Sequence, residues 1–291
     1  MSAATTIIVN ADDLGLHPAV RRAVEACAAR GTLTSASVLA NGPDLGEVRP
    51  IRGVSLGAHL NVLRGTPVSP AREVRSLVDA RGLFVGSWAK FALRVARGSI
   101  DRDELRLEWS RQVAVLRDRG LALSHLDGEK HTHCFPTLFP VACEVAEEHG
   151  IRFVRRSSER FGNFHTGTAA LRRALLVAMD GRARVPAGAA GVRTNDLAWG
   201  IAEQGRALTP EALVSAMSSA TGALDGAVVE IVCHPGDRHR GDPELPPSFG
   251  RMRVDLMWEP ELRSLLERPW RETIAAQGWR LASFDELAEA P

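Results

Sequence analysis

The sequence is poor in cysteine, and no stretch of it stays apolar for long. Its four cysteines, Cys27, Cys134, Cys143 and Cys233, form no CxxC pair, which argues against a zinc knuckle and against a disulfide framework. No apolar run approaches the roughly 20 residues that a transmembrane helix needs, and the N-terminus lacks the basic-then-apolar order of a signal peptide. We therefore expect a cytoplasmic protein without a transmembrane segment.

Neither sign of charge dominates the chain. The 36 basic side chains nearly cancel the 35 acidic ones, which leaves a formal net charge of +1. A nucleic-acid-binding protein would show a basic face or stripe, so nucleic acid is not expected as a partner. Hydrophobic residues make up 45% of the 291 residues and no tract is of low complexity, as is typical of a globular protein.

Short β-branched or apolar runs alternate with amphipathic stretches along the chain. The expected elements are strands at residues 5–9, 35–40, 54–62, 123–126, 152–154, 227–233 and 279–283, and helices at residues 18–30, 136–149, 168–179 and 260–277. Such alternation implies a parallel sheet with right-handed crossovers. Seven or eight units indicate one α/β domain over residues 1–291, built as a closed or nearly closed barrel with seven or eight parallel strands. An open doubly wound sheet is the alternative.

Two connections, residues 64–100 and residues 234–253, are longer than the few residues that usually join neighbouring elements. Long connections in a folded domain are often functional, so we expect these two to form lids or substrate walls.

Polar side chains collect where the expected strands end. Asn10, Asp12 and Asp13 follow the first strand, His59 lies near the end of the third, and His234 follows a late one. A parallel α/β architecture places its active site at this edge of the sheet. Because structural polar residues have no reason to prefer one edge, the pattern predicts an enzyme.

The segment 125–133, after the fourth expected strand, carries the densest group. Five residues that can ionise or bind a metal lie at its alternate positions: His125, Asp127, Glu129, His131 and His133. Wherever this chain is extended, the five share one face. Such a face costs desolvation and mutual repulsion unless a cation or a water-filled site receives the side chains. The segment therefore predicts a functional site.

Adjacent residues at two strand ends are expected to have different roles, because neighbouring side chains on an extended chain point to opposite faces. One of Asp12 and Asp13 can bind a metal while the other accepts a proton, although one of them could instead organise a turn. By the same rule Cys233 is expected in the core and His234 in the site.

These motifs resemble those of the YdjC-like carbohydrate deacetylases, a family that includes chitooligosaccharide deacetylases and hopanoid-biosynthesis-associated deacetylases. The resemblance is carried, in order, by residues 8–15 (IVNADDLG), 57–59 (GAH), 125–133 (HLDGEKHTH) and 233–235 (CHP), and it extends from about residue 5 to about residue 287. It implies a distorted (β/α) TIM-like barrel that removes acetyl groups from amino sugars and uses one divalent metal ion.

The resemblance also implies roles for individual residues. Asp13 and His59 would bind the metal, and Asp12 would be the general base. The third ligand of the family is the first histidine of a His-x-His-x-His run, and Glu129 occupies that position here. Glutamate is a competent oxygen ligand that favours Mg²⁺, with Zn²⁺ and Mn²⁺ as alternatives. Either Glu129 keeps the ligand role, or His131 or His133 takes it.

Hydrolysis of an amide independently requires such a set of groups. A metal polarises the carbonyl or its bound water, a carboxylate takes the proton of the attacking water, and a histidine protonates the leaving amine. We assign the last two roles to Asp12 and His234 and expect them on opposite sides of the scissile bond. Since no serine or cysteine nucleophile belongs to the set, no acyl-enzyme is expected. The remaining polar residues are expected to bind substrate or support the site: Asn10, His125, Asp127, His131, His133 and Arg155.

Two other functions fit the same residues. A metal-dependent phosphoester hydrolase could use Arg155 and Arg156 to hold an anion, although no glycine-rich phosphate loop is present. A sugar-binding barrel whose metal site has decayed at Glu129 is the non-enzymatic alternative. In either case tryptophans such as Trp88, Trp199 and Trp258 could stack on sugar rings, unless they lie in the core. The expected partner is an acetylated amino sugar, and a homodimer is left open.

Overall fold

The structure is a computed structural model that describes residues 4–160, 168–219, 224–249 and 255–289. The strands of the described residues form one parallel sheet: β1 (Thr6–Leu14), β2 (Ser35–Val38), β3 (Ser55–Leu60), β4 (Leu123–Gly128), β5 (Phe153–Val154), β6 (Leu197–Trp199), β7 (Val228–Cys233) and β8 (Arg280–Leu281). Their order in the sheet is β5-β4-β3-β2-β1-β7-β6, and the short β8 pairs with the start of β1.

This order is that of a barrel. From β1 to β5, strands that follow one another in the chain are neighbours, and β7 pairs with both β1 and β6. Backbone hydrogen bonds link the two ends of the sheet, because Val154 N donates to Arg193 O (3.0 Å) and Ala198 N donates to Ser158 O (3.0 Å). The predicted distorted (β/α) TIM-like barrel is therefore confirmed, and the open doubly wound alternative is wrong.

Helices cover the outside of the sheet. They are α1 (Pro18–Arg30), α2 (Trp88–Ala96), α3 (Arg102–Asp118), α4 (Phe139–Glu148), α5 (Thr168–Asp180), α6 (Pro210–Ser218), α7 (Asp255–Glu267), α8 (Trp270–Ala276) and α9 (Phe284–Glu289). Among the described residues, no helix has both the length and the apolar character needed to cross a bilayer.

Most expected elements are present, with differences that have local causes. The helix predicted at residues 18–30 has those bounds, but the single helix predicted at 260–277 is wrong, because α7 ends before Pro269 and α8 begins after it. Proline lacks the N–H that a continuous helix would use, and it disfavours helical backbone at the preceding residue.

Four helices and one strand were not predicted: α2, α3, α6, α9 and β6. Three of these helices begin after a serine, aspartate or threonine whose side chain caps the first turn. Ser87 accepts from Lys90 N before α2, Asp101 accepts from the first-turn N–H groups of α3, and Thr209 accepts from Ala212 N before α6. Such caps are sequence signals for helix starts.

The two long connections meet over the carboxyl ends of the strands. Gly65 N donates to Ser248 O (3.0 Å), and the connection after β3 contains α2 and a bridge between Val78 and Phe84. Residues 250–253 of the second connection lie outside the described residues. Whether these connections act as lids or substrate walls stays a prediction.

The amino-terminal side of the barrel is packed around His125. Its ring stacks on Phe284 of α9 at a centroid distance of 4.2 Å, and its nitrogens lie 2.9 Å from Ser124 Oγ and 3.2 Å from Ser37 Oγ. A Cβ atom at Gly57 would lie only 2.3 Å from His125 Nε2. The glycine of the Gly-x-His motif is therefore required by the ring that packs against it.

We expect Gly57→Ala to lower the free energy of unfolding by roughly 1–3 kcal/mol, the usual cost of overpacking a core. His125 is fully buried and held on both nitrogens, so it cannot move aside without losing contacts. Urea unfolding measures the change. Gly46→Ala is the control, since nothing lies within 4 Å of its added Cβ. Equal stability of the two variants would contradict the packing argument.

Candidate active site

The predicted site residues come from four strands of the sheet and from turns that follow strands. Except for His125, which packs on the amino-terminal side of the barrel, they lie near the carboxyl ends of β1, β3, β4 and β7 and in the turn after β5. His131 and His234 are partly exposed, and the others are buried: Asn10, Asp12, Asp13, His59, His125, Asp127, Glu129, His133 and Arg155.

The end of β1 is not a regular strand. Its pairing with β2 shifts register between Ala11 and Leu14, and Asp13 has a φ of 69° in the left-handed region. Asp is one of the residues that tolerate this region. The two carboxylates have different partners: Asp12 contacts Arg155, and Asp13 faces His59. The left-handed backbone at Asp13, and not simple strand alternation, separates them.

Asp13, His59 and Glu129 form one compact group. His59 Nε2 lies 3.6 Å from Asp13 Oδ1 and 3.9 Å from Glu129 Oε2. One ligand atom from each of the three lies within 4.8 Å of the others. His59 Nδ1 donates to Asp127 Oδ1 at 2.7 Å, which leaves Nε2 directed at the two carboxylates. A carboxylate that orients a histidine in this way is the usual support of a metal ligand.

The donor set of this group fits a divalent cation. Asp13 Oδ1 is buried and has no hydrogen-bond donor among the described residues. Burial and the neighbouring Glu129 raise the pKa of Asp13 to about 7. Burial opposes a charge on His59, but Asp127 and Asp12 outweigh it and raise its pKa to about 10. The group therefore needs a compensating positive charge, which a proton on His59 or a bound cation supplies.

The segment after β4 differs from the expected extended run. β4 ends at Gly128, residues 129–134 form 3₁₀ turns, and Lys130 and His131 have left-handed φ values of 49° and 59°. The shared face was expected wherever the chain is extended, and the chain is extended only as far as Gly128. The left-handed residues turn the chain, so that only Glu129 of the later residues joins Asp13 and His59.

His131 and His133 make other contacts. His131 Nδ1 lies 2.8 Å from Ser157 Oγ, and His133 Nε2 lies 3.0 Å from Arg155 O. Burial lowers the pKa of both, that of His133 to about 4. Neither belongs to a group of possible metal ligands among the described residues. This placement favours Glu129 as the third ligand.

Arg155 is fully buried and binds three carboxylates. It holds Asp12 through two hydrogen bonds (2.7 and 2.8 Å), and it contacts Asp127 Oδ2 at 2.6 Å and Glu230 Oε1 at 2.6 Å. Burial alone would raise the pKa of Asp12, but the Arg155 guanidinium outweighs it and lowers that pKa. Asn10 Nδ2 also donates to Asp12 Oδ1 (2.8 Å). Arg155 therefore supports the site.

The expectation that Arg155 and Arg156 could hold a substrate anion is wrong for this conformation. The guanidinium of Arg155 is inaccessible and already surrounded by carboxylates. That of Arg156 binds the Asp180 carboxylate and backbone oxygen. Two of the proposed sugar-stacking residues are also unavailable, because Trp199 and Trp258 are buried, whereas Trp88 is half-buried and stacks on Phe135.

His234 lies next to Asp12. Its Nε2 is 3.9 Å from Asp12 Oδ2. Asp12 and His234 are thus neighbours, and their placement on opposite sides of the scissile bond stays a prediction. Cys233 points into the core as expected, and its Sγ donates to Asn10 O (3.3 Å).

Four residues of the site were missed by sequence reasoning. Ser37 Oγ donates to Asp127 Oδ2 (2.7 Å), Arg64 Nε contacts Glu129 Oε1 (3.0 Å), and Glu261 accepts from His234 N. Glu230 binds Arg155. Of these four, only Glu230 could have been found from the sequence, because a carboxylate inside the apolar strand VVEIVC requires a buried partner.

A second pair of acidic side chains is buried at the same edge of the sheet. Glu159 accepts from Gly200 N (3.0 Å) and Ala202 N (3.0 Å) and interacts with Glu203. Burial, with the charge of Glu203 adding to it, raises the pKa of Glu159 to about 8.

Known proteins are similar to this chain in sequence or in fold. The family model of YdjC-like proteins matches residues 6–276. The carbohydrate deacetylase of Homo sapiens is 30% identical over 97% of this chain and 90% of its own length. That of Listeria monocytogenes serotype 4a (strain HCC23) is 31% identical over 52% of this chain and 61% of its own length. The crystal structure of a proposed cellobiose-phosphate cleavage protein from Enterococcus faecalis V583 superposes with a TM-score of 0.72, 22% identity, and coverage of 98% of this chain and 99% of that one, which shows a shared fold.

The raised pKa of Glu159 predicts a pH-dependent stability. The folded state retains its proton up to about pH 8, whereas the unfolded chain releases it near the ordinary value of 4.5. Stability is therefore lost as the pH rises through this window, by at most about 1.4 kcal/mol per pH unit. Urea unfolding from pH 5 to pH 8.5 should show a smaller loss for Glu159→Gln than for the wild type. The exposed Glu259→Gln is the control, and identical pH slopes in all three proteins would contradict the assignment.

Proposed function

The chain belongs to the family of YdjC-like proteins, and from this premise we propose that it is a hydrolase that removes N-acetyl groups from carbohydrates. One observation carries the proposal. A proton-transfer pair, Asp12 and His234, adjoins a group with the donor set of a metal site, Asp13, His59 and Glu129. Amide hydrolysis needs both parts.

Asp13, His59 and Glu129 would hold one divalent cation, with Mg²⁺ preferred over Mn²⁺ or Zn²⁺ because two of the three ligands are carboxylates. When bound there, the cation would polarise the acetyl carbonyl and lower the pKa of water. His59 keeps its Nε2 available because Asp127 accepts the proton on Nδ1.

Asp12 acts as the general base through Oδ2. Oδ1 already accepts from Asn10 and Arg155, whereas Oδ2 accepts one hydrogen bond, from Arg155. A carboxylate oxygen can accept two, so Oδ2 has room for the attacking water. The lowered pKa keeps Asp12 ionised at neutral pH, which makes it ready to accept a proton but reduces its basicity.

His234 supplies the proton that the leaving amine needs. As the water oxygen bonds to the acetyl carbon, Asp12 takes one water proton, and the C–N bond then breaks while His234 protonates the nitrogen. Because Oδ2 and Nε2 are 3.9 Å apart, Asp12 can return its proton to His234 after a small approach. The free amine and acetic acid leave, the acid releases the second water proton to solvent to become acetate, and both side chains recover their starting state.

Direct attack by water is favoured over a covalent intermediate. Cys134 Sγ lies 3.3 Å from His133 Nε2, as in a nucleophile–base pair, but burial raises the pKa of this thiol to about 11. Burial also raises the pKa of Cys233. Neither is a thiolate at neutral pH, and thiolate is the reactive form.

The substrate that we propose is a sugar or glycolipid that contains N-acetylglucosamine, hopanoid-linked ones included. The acetamido group is the part on which the site would act, so the proposal commits to that group. Release of phosphate from a sugar phosphate, without release of acetate from chitooligosaccharides, would instead indicate the phosphoester hydrolase. Saturable sugar binding without either product would indicate a sugar-binding barrel.

We expect His59→Ala to abolish both binding of the cation and release of acetate, because His59 is the imidazole of the ligand group. Calorimetric titration with Mg²⁺ and Mn²⁺ and an acetate assay on N-acetylated chitooligosaccharides measure the two losses. Chelation of the wild type should reproduce the loss of activity. Full turnover by the chelated protein would contradict the metal assignment.

Asp12→Asn should keep the cation and lose turnover by about 100- to 10,000-fold, the usual contribution of a positioned general base. The amide preserves the shape of Asp12 but cannot accept the proton of water. The same titration and the same acetate assay separate binding from catalysis. A variant that no longer binds the cation would make Asp12 a ligand and reverse its assignment.

A further inference from the structure

Arg64 lies at the start of the connection after β3 and contacts both Glu129 and the connection after β7. Its guanidinium is buried, with Nε 3.0 Å from Glu129 Oε1 and Nη1 donating to Phe249 O at 2.9 Å. Since Arg64 occupies Oε1, the other oxygen of Glu129, Oε2, is the one that faces His59 Nε2. Arg64 thus fixes the orientation of the Glu129 carboxylate, with one oxygen directed into the ligand group.

The backbone of Arg64 is fixed by a buried asparagine. Asn61 Oδ1 accepts from Leu63 N (2.8 Å) and Arg64 N (3.1 Å), and Asn61 Nδ2 donates to Arg64 O (2.9 Å). This side chain therefore holds the turn after β3 from both directions. Its residue exposure is only 1%, so water does not compete for these bonds.

The support continues into α3. Asn61 N donates to Gln112 Oε1 (2.9 Å), and Gln112 Nε2 donates to Asn61 O (2.6 Å) and to Glu108 Oε1 (2.7 Å). Glu108 and Gln112 are also buried. A continuous path of hydrogen bonds and an ion pair runs from the helix to the ligand group: Glu108, Gln112, Asn61, Arg64 and Glu129.

Glutamate needs such support more than histidine does. Its side chain has one more rotatable bond than that of histidine, so it has more rotamers to lose on binding a cation. It also adds a negative charge beside Asp13, which a neutral imidazole would not. Arg64 supplies a counter-charge and fixes the orientation at once.

We propose that Arg64 is a positioning residue for Glu129, and that the two act as one unit in place of a ligand histidine. The inference rests on the proposed metal site. Its consequence is an asymmetry: Arg64 is needed for cation binding while residue 129 is glutamate, and becomes dispensable when that residue is histidine.

A double-mutant cycle tests the asymmetry, with Mn²⁺ as the probe and calorimetric titration as the measurement. The four proteins are the wild type, Arg64→Met, Glu129→His and the double variant. In the wild-type background Arg64→Met should weaken Mn²⁺ binding by about 10- to 100-fold, as the loss of a residue that supports a ligand usually does. In the Glu129→His background the same change should weaken binding by less than about 3-fold, because the carboxylate that Arg64 orients is no longer present.

Arg94→Met is the matched control. Arg94 donates to Ser76 O and Val78 O of the same connection but contacts no carboxylate of the site, so its loss should leave Mn²⁺ affinity unchanged. Near-ultraviolet circular dichroism verifies the fold of each variant. If Arg64→Met does not fold, Arg64→Gln replaces it in the cycle with the same expected asymmetry.

An equal effect of the Arg64 change in both backgrounds, or no effect in either, would overturn the inference and leave the proposed metal site intact. Failure of the wild type and of Glu129→His to bind Mn²⁺ would instead overturn the metal site on which the inference rests. The two failures are therefore distinguishable in one set of titrations.

Discussion

The candidate site depends on one buried guanidinium. Arg155, in the turn after β5, binds Asp12 at the end of β1, Asp127 in β4 and Glu230 in β7. Without it, desolvation and mutual repulsion would favour the protonated forms of these carboxylates. Beside it the pKa values of Asp12 and Asp127 are lowered, whereas burial still raises that of Glu230 to about 7. Arg155 thus joins strands from both sides of the barrel and keeps Asp12 ionised. Removing one partner of such a buried ion pair would leave an uncompensated charge and destabilise the folded protein.

His59 connects this charge cluster to the proposed metal site. Its Nδ1 donates to Asp127, which Arg155 also binds, and its Nε2 faces Asp13 and Glu129. The negative charges of the site are therefore balanced in two sets. Arg155 balances one set, and Arg64, together with a cation or a proton on His59, balances the other. This division gives Asp12 and Asp13 opposite pKa shifts although they are adjacent in sequence.

The connection after β7 contributes to both the proposed proton-transfer pair and the support of Glu129. It begins with His234, whose backbone N–H is held by Glu261 and whose ring lies beside Asp12. The end of its described part supplies Phe249 O to Arg64, the partner of Glu129. The group that we propose to protonate the amine and the residue that orients a metal ligand are thus fixed by one segment of chain. The positions of His234 and Arg64 are therefore coupled through this segment.

The positions of most strands and helices, a barrel as the first of two architectures, and the edge where the polar residues gather were predictable from the sequence, because hydrophobic periodicity and strand ends are local properties. The core position of Cys233 followed from strand alternation, whereas the group of Asp13, His59 and Glu129 came from the family resemblance, and the roles of these three residues stay predictions. The pairing of the charges follows from the tertiary structure alone. Arg155 meets Asp12 and Glu230 across 143 and 75 residues of chain, and no local pattern encodes such contacts. Likewise, the left-handed backbone at Lys130 and His131 ended the alternation after β4, since the packed turn, and not the residue spacing, sets the direction of each side chain.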